Sequence, residues 1–166
     1  MKRKNEIVQA LYSVMAEELS DISQYLLHSE MGDNSGNINL NLAIRKQAAV
    51  EMDCKEWIIE RSVIFEGKPA GTKLYTIKIG KNAAEIVNMD NRDEFDALHN
   101  NTNNAIKLAN VAYAQGTIDL LTKIDEMEEN QINWAEIQYS RDEQLGLENY
   151  LVGQTEKHEI YKDSGK

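Results

Sequence analysis

Apolar side chains recur at steps of three and four residues through four long stretches of this 166-residue chain, which is the pattern of one buried face of an α-helix. Only one proline occurs in the whole sequence, and proline is the residue that most strongly breaks helices. The predicted helices run over about 7–28, 40–66, 83–114 and 117–139, with a short last helix over about 142–151. The sequence therefore predicts an all-α fold, an antiparallel four-helix bundle followed by a short fifth helix.

The segment "GKPAGTKLYTIKIGK", residues 67–81, loses the helical period and gains glycine, proline and β-branched residues. We interpret it as a long extended crossover that runs along the outside of the bundle. The chain is short enough to form one domain, which we place at residues 1–156. The polar end, residues 157–166, is expected to be a disordered tail.

Charge and composition exclude several functions. The net charge of -10 and the isoelectric point of about 4.8 disfavour binding to nucleic acid, because such a surface repels phosphate backbones. No apolar run approaches the roughly 18 residues of a membrane span, and the N-terminus lacks the apolar core of a signal peptide. With a single cysteine there is no internal disulfide. These features predict a protein without membrane or nucleic-acid partners, located in the cytoplasm.

One glutamate lies near the middle of the inward-facing stripe of each long helix: Glu18, Glu51, Glu94 and Glu128. A charged carboxylate is rarely buried alone, and four converging carboxylates repel one another unless cations lie between them. The alternative is that some of these side chains flank the stripe and reach water. The pattern favours a centre for two divalent metal ions inside the bundle.

The chain resembles the bacterioferritins along nearly its whole length, in the blocks "NEIVQALYSVMAEELSDISQYLLHSEM", "EWIIERSVIFEGKP", "IKIG", "NWAEIQ" and "GLENYL". The resemblance implies a ferritin-like bundle that assembles as a hollow shell of 24 subunits and stores iron as a ferric mineral. It also implies haem b at the twofold interface between subunits, a di-iron ferroxidase centre that oxidises Fe(II), and a small ferredoxin as a possible reductant.

In this likeness Glu18, Glu51, Glu94 and Glu128 match the family's carboxylate ligands, and Tyr25 matches a tyrosine near the metals. The alternative for Tyr25 is a core residue whose hydroxyl group is hydrogen-bonded. The Glu-x-x-His motif of the family reads "EMDC" on the second helix and "EENQ" on the fourth, so Cys54 and Gln131 replace both histidines. Gln131 offers only a neutral amide oxygen. Cys54 is either a sulfur ligand or a small buried residue that fills the space of the histidine.

Other positions depart from the family as well. Lys46 and Val50 stand where better-studied members place a histidine and an aspartate that help iron move toward the cavity, and an ammonium group there repels Fe(II). The three histidines of the chain, His28, His99 and His158, do not replace the lost ligands, and we expect each at the surface. Turnover at a di-iron centre is therefore expected to be impaired.

Met52 follows Glu51 by one residue and so points about 100° around the helix, toward an outer face. Spacing alone is typical of a methionine that packs at an interface. The resemblance assigns Met52 to the family's haem-ligand position, and a twofold axis supplies two such thioethers from one sequence position.

Three hypotheses follow. The first is a haem-binding iron-storage subunit with an impaired ferroxidase centre, in a homo- or hetero-24-mer that includes a ferroxidase-competent bacterioferritin subunit. The second is an active ferroxidase that oxidises Fe(II) at an altered site of Glu18, Glu51, Cys54, Glu94, Glu128 and Gln131. The third is a structural bundle that binds partners and no metal.

Overall fold

The computed structural model describes residues 2–68, 74–83, 85–86 and 93–155, with the side chains at positions 2 and 93–98 outside the description. The helices with defined bounds are α1 (Lys2–Asn34), α2 (Ile38–Ile64), α3 (Asp93–Val111), α4 (Gln115–Leu145) and α5 (Leu147–Thr155). The predicted all-α class, with four long helices and a short fifth one, is confirmed. Within the described residues, no helix is both long and apolar enough to cross a membrane.

The helix boundaries differ from the predicted ones. Helix α1 begins and ends several residues outside the predicted range. Helix α4 continues to Leu145, so residues 142–145, predicted to open the last helix, belong to α4. The break comes at Gly146, whose φ of 75° is readily adopted only by glycine. The predicted start of the third helix at Ala83 is helical, but residues 84 and 87–92 and the predicted tail at 157–166 lie outside the described residues.

The helices pack as a bundle with one long crossover between α2 and α3, in which α1 contacts α2 and α3, and α4 contacts α3 and α5. Two apolar clusters form the core. The first contains Ile7, Leu11, Val14, Met15, Cys54, Ile58, Ala105, Leu121 and Ile124. The second contains Tyr25, Leu40, Ile44, Ala48, Ala83 and Ile86. The predicted inward glutamates of α1 and α2 lie in sequence between the residues that contribute to these two clusters.

The described part of the crossover, residues 74–80, has no regular structure and runs along α1. Three side chains of α1 spaced four residues apart, Ser20, Gln24 and His28, bind it; we call them the crossover stripe. The backbone N–H groups of Tyr75, Lys78 and Gly80 donate to Ser20 Oγ at 2.8 Å, Gln24 Oε1 at 2.7 Å and His28 Nε2 at 3.1 Å, respectively. The crossover is therefore attached to α1 through its own backbone.

This attachment corrects the prediction that His28 lies at the surface, because the side chain is 0% exposed. The crossover covers the outer face of α1 at this point, and Gly80 also allows a close approach to the backbone of Glu85 and Ile86. A Cβ atom at Gly80 would lie 2.5 Å from the backbone nitrogen of Ile86. His99 is half-exposed and its Nδ1 lies 2.8 Å from Asp125 Oδ1, while His158 lies outside the described residues.

Candidate metal centre

Three helices bring five of the predicted ligands together inside the bundle. Glu18 comes from α1, Glu51 and Cys54 come from α2, and Glu128 and Gln131 come from α4; we call this set the carboxylate site. Residues three apart on a helix lie on the same face. The side chains of Glu51 and Cys54 on α2, and those of Glu128 and Gln131 on α4, therefore lie next to each other and point into the bundle. All five side chains are buried, and Glu18, Glu51 and Cys54 are 0% exposed. The alternative that these glutamates reach water is therefore wrong for the three that are described.

The ligand atoms of Glu18, Glu51 and Cys54 lie within 4.8 Å of one another. We call these three residues the thiolate half of the site. Two carboxylate oxygens and one sulfur around a common centre are a donor set that a divalent cation accepts, with metal–oxygen distances of about 2.0–2.2 Å and a metal–sulfur distance of about 2.3 Å. The thiolate half therefore has the spacing that a single bound cation requires.

Several oxygens in the site have no hydrogen-bond partner among the described residues. They are both carboxylate oxygens of Glu18, Oε2 of Glu51, Oε1 of Glu128 and Oε1 of Gln131. Buried polar atoms are nearly always paired, since an unpaired one costs about 1–3 kcal/mol. A proton on one carboxyl group would let Glu18 and Glu51 share a hydrogen bond. A cation would satisfy several of these oxygens at once.

The electrostatics of the site without a cation are unfavourable. Burial raises the pKa of Glu18 well above its ordinary value, and the charge of Glu51 raises it further. Burial likewise raises the pKa of Glu128, again with the charge of Glu51 as the next cause. Burial and the charge of Glu51 also raise the pKa of the Cys54 thiol, so the metal-free side chain holds its proton. Each of these shifts has the direction expected of crowded, desolvated anionic groups.

Glu128 and Gln131, on α4, form the amide half of the site. The amide nitrogen Nε2 of Gln131 donates a hydrogen bond to Glu51 Oε1 at 2.5 Å. A histidine at this position would direct a metal-binding nitrogen into the centre, whereas this amide directs N–H groups toward the carboxylate. The hydrogen bond therefore occupies the Glu51 oxygen that faces α4, on the side where a second cation would need it.

A surface groove of about 410 Å³ reaches the amide half between α2 and α4. It is lined by Ala43, Lys46, Gln47, Val50, Met127, Asn130, Gln131 and Trp134. The exposed Lys46 at this groove places a positive charge near the opening that leads to Gln131. A cation that approached along this groove would meet electrostatic repulsion.

The remaining predicted site residues are placed as follows. Glu94 belongs to α3, but its side chain lies outside the described residues. Tyr25 packs in the second apolar cluster and, with Gln131, borders a small cavity between the helices. Met52 is 41% exposed on the outer side of α2, away from the carboxylate site. A haem group held between two subunits would need a ligand on an outer face, so the exposed thioether is compatible with the haem-ligand position that the resemblance implies.

Sequence reasoning found the carboxylate site but missed the buried role of His28. The signal for this role was present in the sequence, since Ser20, Gln24 and His28 repeat every four residues along a face of α1 that lies between about 80° and about 160° around the helix from Glu18. A polar stripe of this kind indicates a helix face that is covered by backbone donors.

Comparisons with known proteins agree with this architecture. The ferritin-like domain family matches residues 8–145. The bacterioferritins of Mycolicibacterium paratuberculosis and Mycobacterium tuberculosis are each 30% identical over 150 residues, which are 90% of this chain and 94% of theirs. The bacterial ferritin of Synechocystis sp. is 29% identical over 155 residues, 93% of this chain and 99% of its own. The chain therefore has a ferritin-like domain and belongs to the bacterioferritin family.

Proposed function

We propose that the protein is an iron-storage shell subunit of the bacterioferritin type whose di-iron ferroxidase centre is impaired. The observation that carries the proposal is the hydrogen bond from Gln131 Nε2 to Glu51 Oε1 at 2.5 Å. It engages a carboxylate that a two-iron centre would need as a ligand, and it does so with a side chain that offers no strong donor in place of the family's histidine. Membership of the family supports the storage role.

The carboxylates and the sulfur retain the means to bind a metal ion, while oxygen reduction by two cooperating iron ions lacks its nitrogen ligands. A thiolate beside a centre that reduces oxygen would itself be oxidised, which is a further argument against rapid turnover. Iron oxidation for a mineral core then depends on other subunits. We propose a cytoplasmic shell of 24 subunits in which a ferroxidase-competent bacterioferritin subunit accompanies this chain, with a small ferredoxin as the reductant that releases iron.

The proposal is tested by stopped-flow oxidation of Fe(II) on the purified homopolymer. We expect no fast phase that saturates near two iron ions per subunit. The double substitution Cys54→His with Gln131→His should create such a phase, because it restores both nitrogen donors beside the retained glutamates. Cys54→Ala with Gln131→Ala is the matched control and should remain slow.

A fast, saturating phase in the unmodified protein would overturn the proposal. It would favour the second candidate, an active ferroxidase at the altered site, for which the retained Glu18, Glu51 and Glu128 are the favouring observation. In that case Glu51→Gln with Glu128→Gln should abolish the oxidation. Slow oxidation that these two substitutions leave unchanged supports the impaired centre.

We further propose that Met52 of two subunits holds haem b across a twofold axis. When bound, the haem supplies a one-electron redox centre at the subunit interface. The chain's own contribution is the exposed thioether, which a twofold neighbour must cover. Met52→Leu keeps the size of the side chain and should abolish the haem absorbance of the purified protein, whereas Met127→Leu, a methionine that lines the groove near Gln131, should retain it.

A further inference from the structure

The two halves of the carboxylate site differ in what they offer to a cation. In the thiolate half, both oxygens of the fully buried Glu18 lack a partner among the described residues, and the ligand atoms of Glu18, Glu51 and Cys54 lie within 4.8 Å of one another. In the amide half, Glu128 Oε1 and Gln131 Oε1 also lack described partners, but Gln131 Nε2 is already bonded to Glu51 Oε1. The thiolate half therefore has three ligand atoms grouped for one cation, whereas in the amide half a hydrogen bond within the protein engages the shared carboxylate Glu51.

We propose that Glu18, Glu51 and Cys54 form a mononuclear site for a borderline divalent cation of the zinc type, and that Glu128 and Gln131 remain outside its coordination sphere. This inference deepens the proposed function and rests on it for the loss of the di-iron pair. The site would then serve as a one-cation site within the subunit and no longer as a two-iron oxidation centre.

The donor set selects the class of cation. Hard ions such as Mg²⁺ and Ca²⁺ require about six to eight oxygen ligands, and they gain little from sulfur. Thiolate sulfur favours borderline and soft ions, and zinc is the ion most typical of tetrahedral sites that contain cysteine. Two carboxylates and one thiolate supply three of the four ligands of a four-coordinate zinc ion.

The number of cations that the site can hold follows from the position of the Gln131 side-chain amide. A second cation on the α4 side would need the Glu51 oxygen that faces it, but Glu51 Oε1 accepts a hydrogen bond from Gln131 at 2.5 Å. Binding of the first cation needs no such change in α4. It forms two metal–oxygen bonds and one metal–sulfur bond, and the thiol proton of Cys54, together with any proton held between the carboxyl groups of Glu18 and Glu51, passes to water. No oxidation or reduction is involved.

Cobalt(II) is the probe, because a thiolate bound to Co²⁺ gives a charge-transfer absorption in the near ultraviolet that oxygen ligands do not. Cys54 is the only cysteine in the chain, so such a band reports this residue alone. Metal-free protein titrated with Co²⁺ under anaerobic conditions should develop the band up to one equivalent per chain. Zn²⁺ should then remove the band at one equivalent. Cations on the acidic surface do not contribute to it.

Two matched substitutions separate the halves of the site. Glu18→Gln should weaken Zn²⁺ binding, measured by displacement of Co²⁺, by at least about tenfold. Glu128→Gln should leave the Zn²⁺ affinity and the intensity of the Co²⁺ band within about twofold of the unmodified protein. Cys54→Ser should abolish the band. Circular dichroism shows whether each variant is folded.

A band that requires two equivalents, the absence of any band, or equal losses in the Glu18→Gln and Glu128→Gln variants would each overturn the mononuclear site. Mineral loading and Fe(II) oxidation are measured on the same preparations. If the cobalt titration fails while Fe(II) oxidation remains slow, the mononuclear site is wrong and the proposed function still stands. Fast oxidation by two iron ions per subunit removes the proposed function as well.

Discussion

Helix α1 buries polar side chains on two of its faces, and the two faces differ in how those side chains are satisfied. On the outer face, each member of the crossover stripe, Ser20, Gln24 and His28, accepts a backbone N–H from the crossover. On the inner face, about 200° around the helix from Ser20, Glu18 is equally buried and neither of its oxygens has a partner among the described residues.

This difference indicates separate roles for two sets of residues that look alike in sequence. A buried polar group whose hydrogen bonds are complete stabilises the fold, because nothing further has to bind for it to be satisfied. A buried carboxylate without partners destabilises the metal-free fold and gains most when a cation arrives. The crossover stripe is therefore structural, whereas the carboxylate site has unsatisfied oxygens that a bound cation would satisfy.

The largest expected effect concerns the pH dependence of the inner face. Glu18 and Glu128 have folded-state pKa values above the ordinary 4.5, so at low pH they are protonated both folded and unfolded. As the pH rises above about 4.5, the unfolded chain releases these protons first and the folded state loses relative stability, by up to about 1.4 kcal/mol per pH unit for each group. This loss continues until the folded-state pKa values are reached.

The measurement is the unfolding free energy of chelator-treated protein between pH 4.5 and 8, compared with the double variant Glu18→Gln, Glu128→Gln. The variant should gain stability relative to the unmodified protein as the pH rises, since amides do not ionise. Saturating Zn²⁺ should remove most of the difference, because the cation stabilises only the ionised site. If the unfolding free energies of the two proteins changed in parallel with pH, burial of these carboxylates would not destabilise the metal-free fold.

The second effect tests the outer face at His28. His28→Ala removes the acceptor for the buried Gly80 N–H and leaves a cavity, so we expect a loss of about 3 kcal/mol in unfolding free energy at neutral pH. His28→Gln places an amide oxygen near the former Nε2 and should cost less than half as much. Added Zn²⁺ should not change the loss of unfolding free energy in either the Ala or the Gln variant. An Ala variant as stable as the Gln variant would contradict the role of this hydrogen bond.

The smallest effect is expected at the first member of the crossover stripe. Ser20 Oγ accepts from the N–H of Tyr75 and donates to the carbonyl oxygen of Ala16, each at 2.8 Å. Tyr75 is exposed, so water can replace the lost acceptor, and Ser20→Ala should cost about 1 kcal/mol or less. Thermal unfolding compares the loss of stability in Ser20→Ala with that in His28→Ala. If Ser20→Ala lowered the unfolding free energy as much as His28→Ala, burial of the N–H donor would not determine how much each hydrogen bond contributes to stability.

Much of the carboxylate site was predictable because its members are related by local spacing. Glu51 and Cys54 are three residues apart on one helix, as are Glu128 and Gln131, and helical geometry places each pair on one face. The apolar stripe then indicates that this face points inward. The hydrogen bond between Gln131 and Glu51 was not predictable, because it joins residues 80 positions apart and depends on how α2 and α4 pack.

The sequence by itself determined the helical class, the number of long helices and the inward direction of Glu18, Glu51 and Glu128. These properties follow from periodicity, which is local. The tertiary structure alone decided that His28 is buried, that α4 extends to Leu145, and that Gln131 engages Glu51 while Glu18 has no described partner. Burial and hydrogen bonding depend on distant segments that cover or approach a helix face. A local period marks the polar face of α1, but it does not encode which segment covers that face.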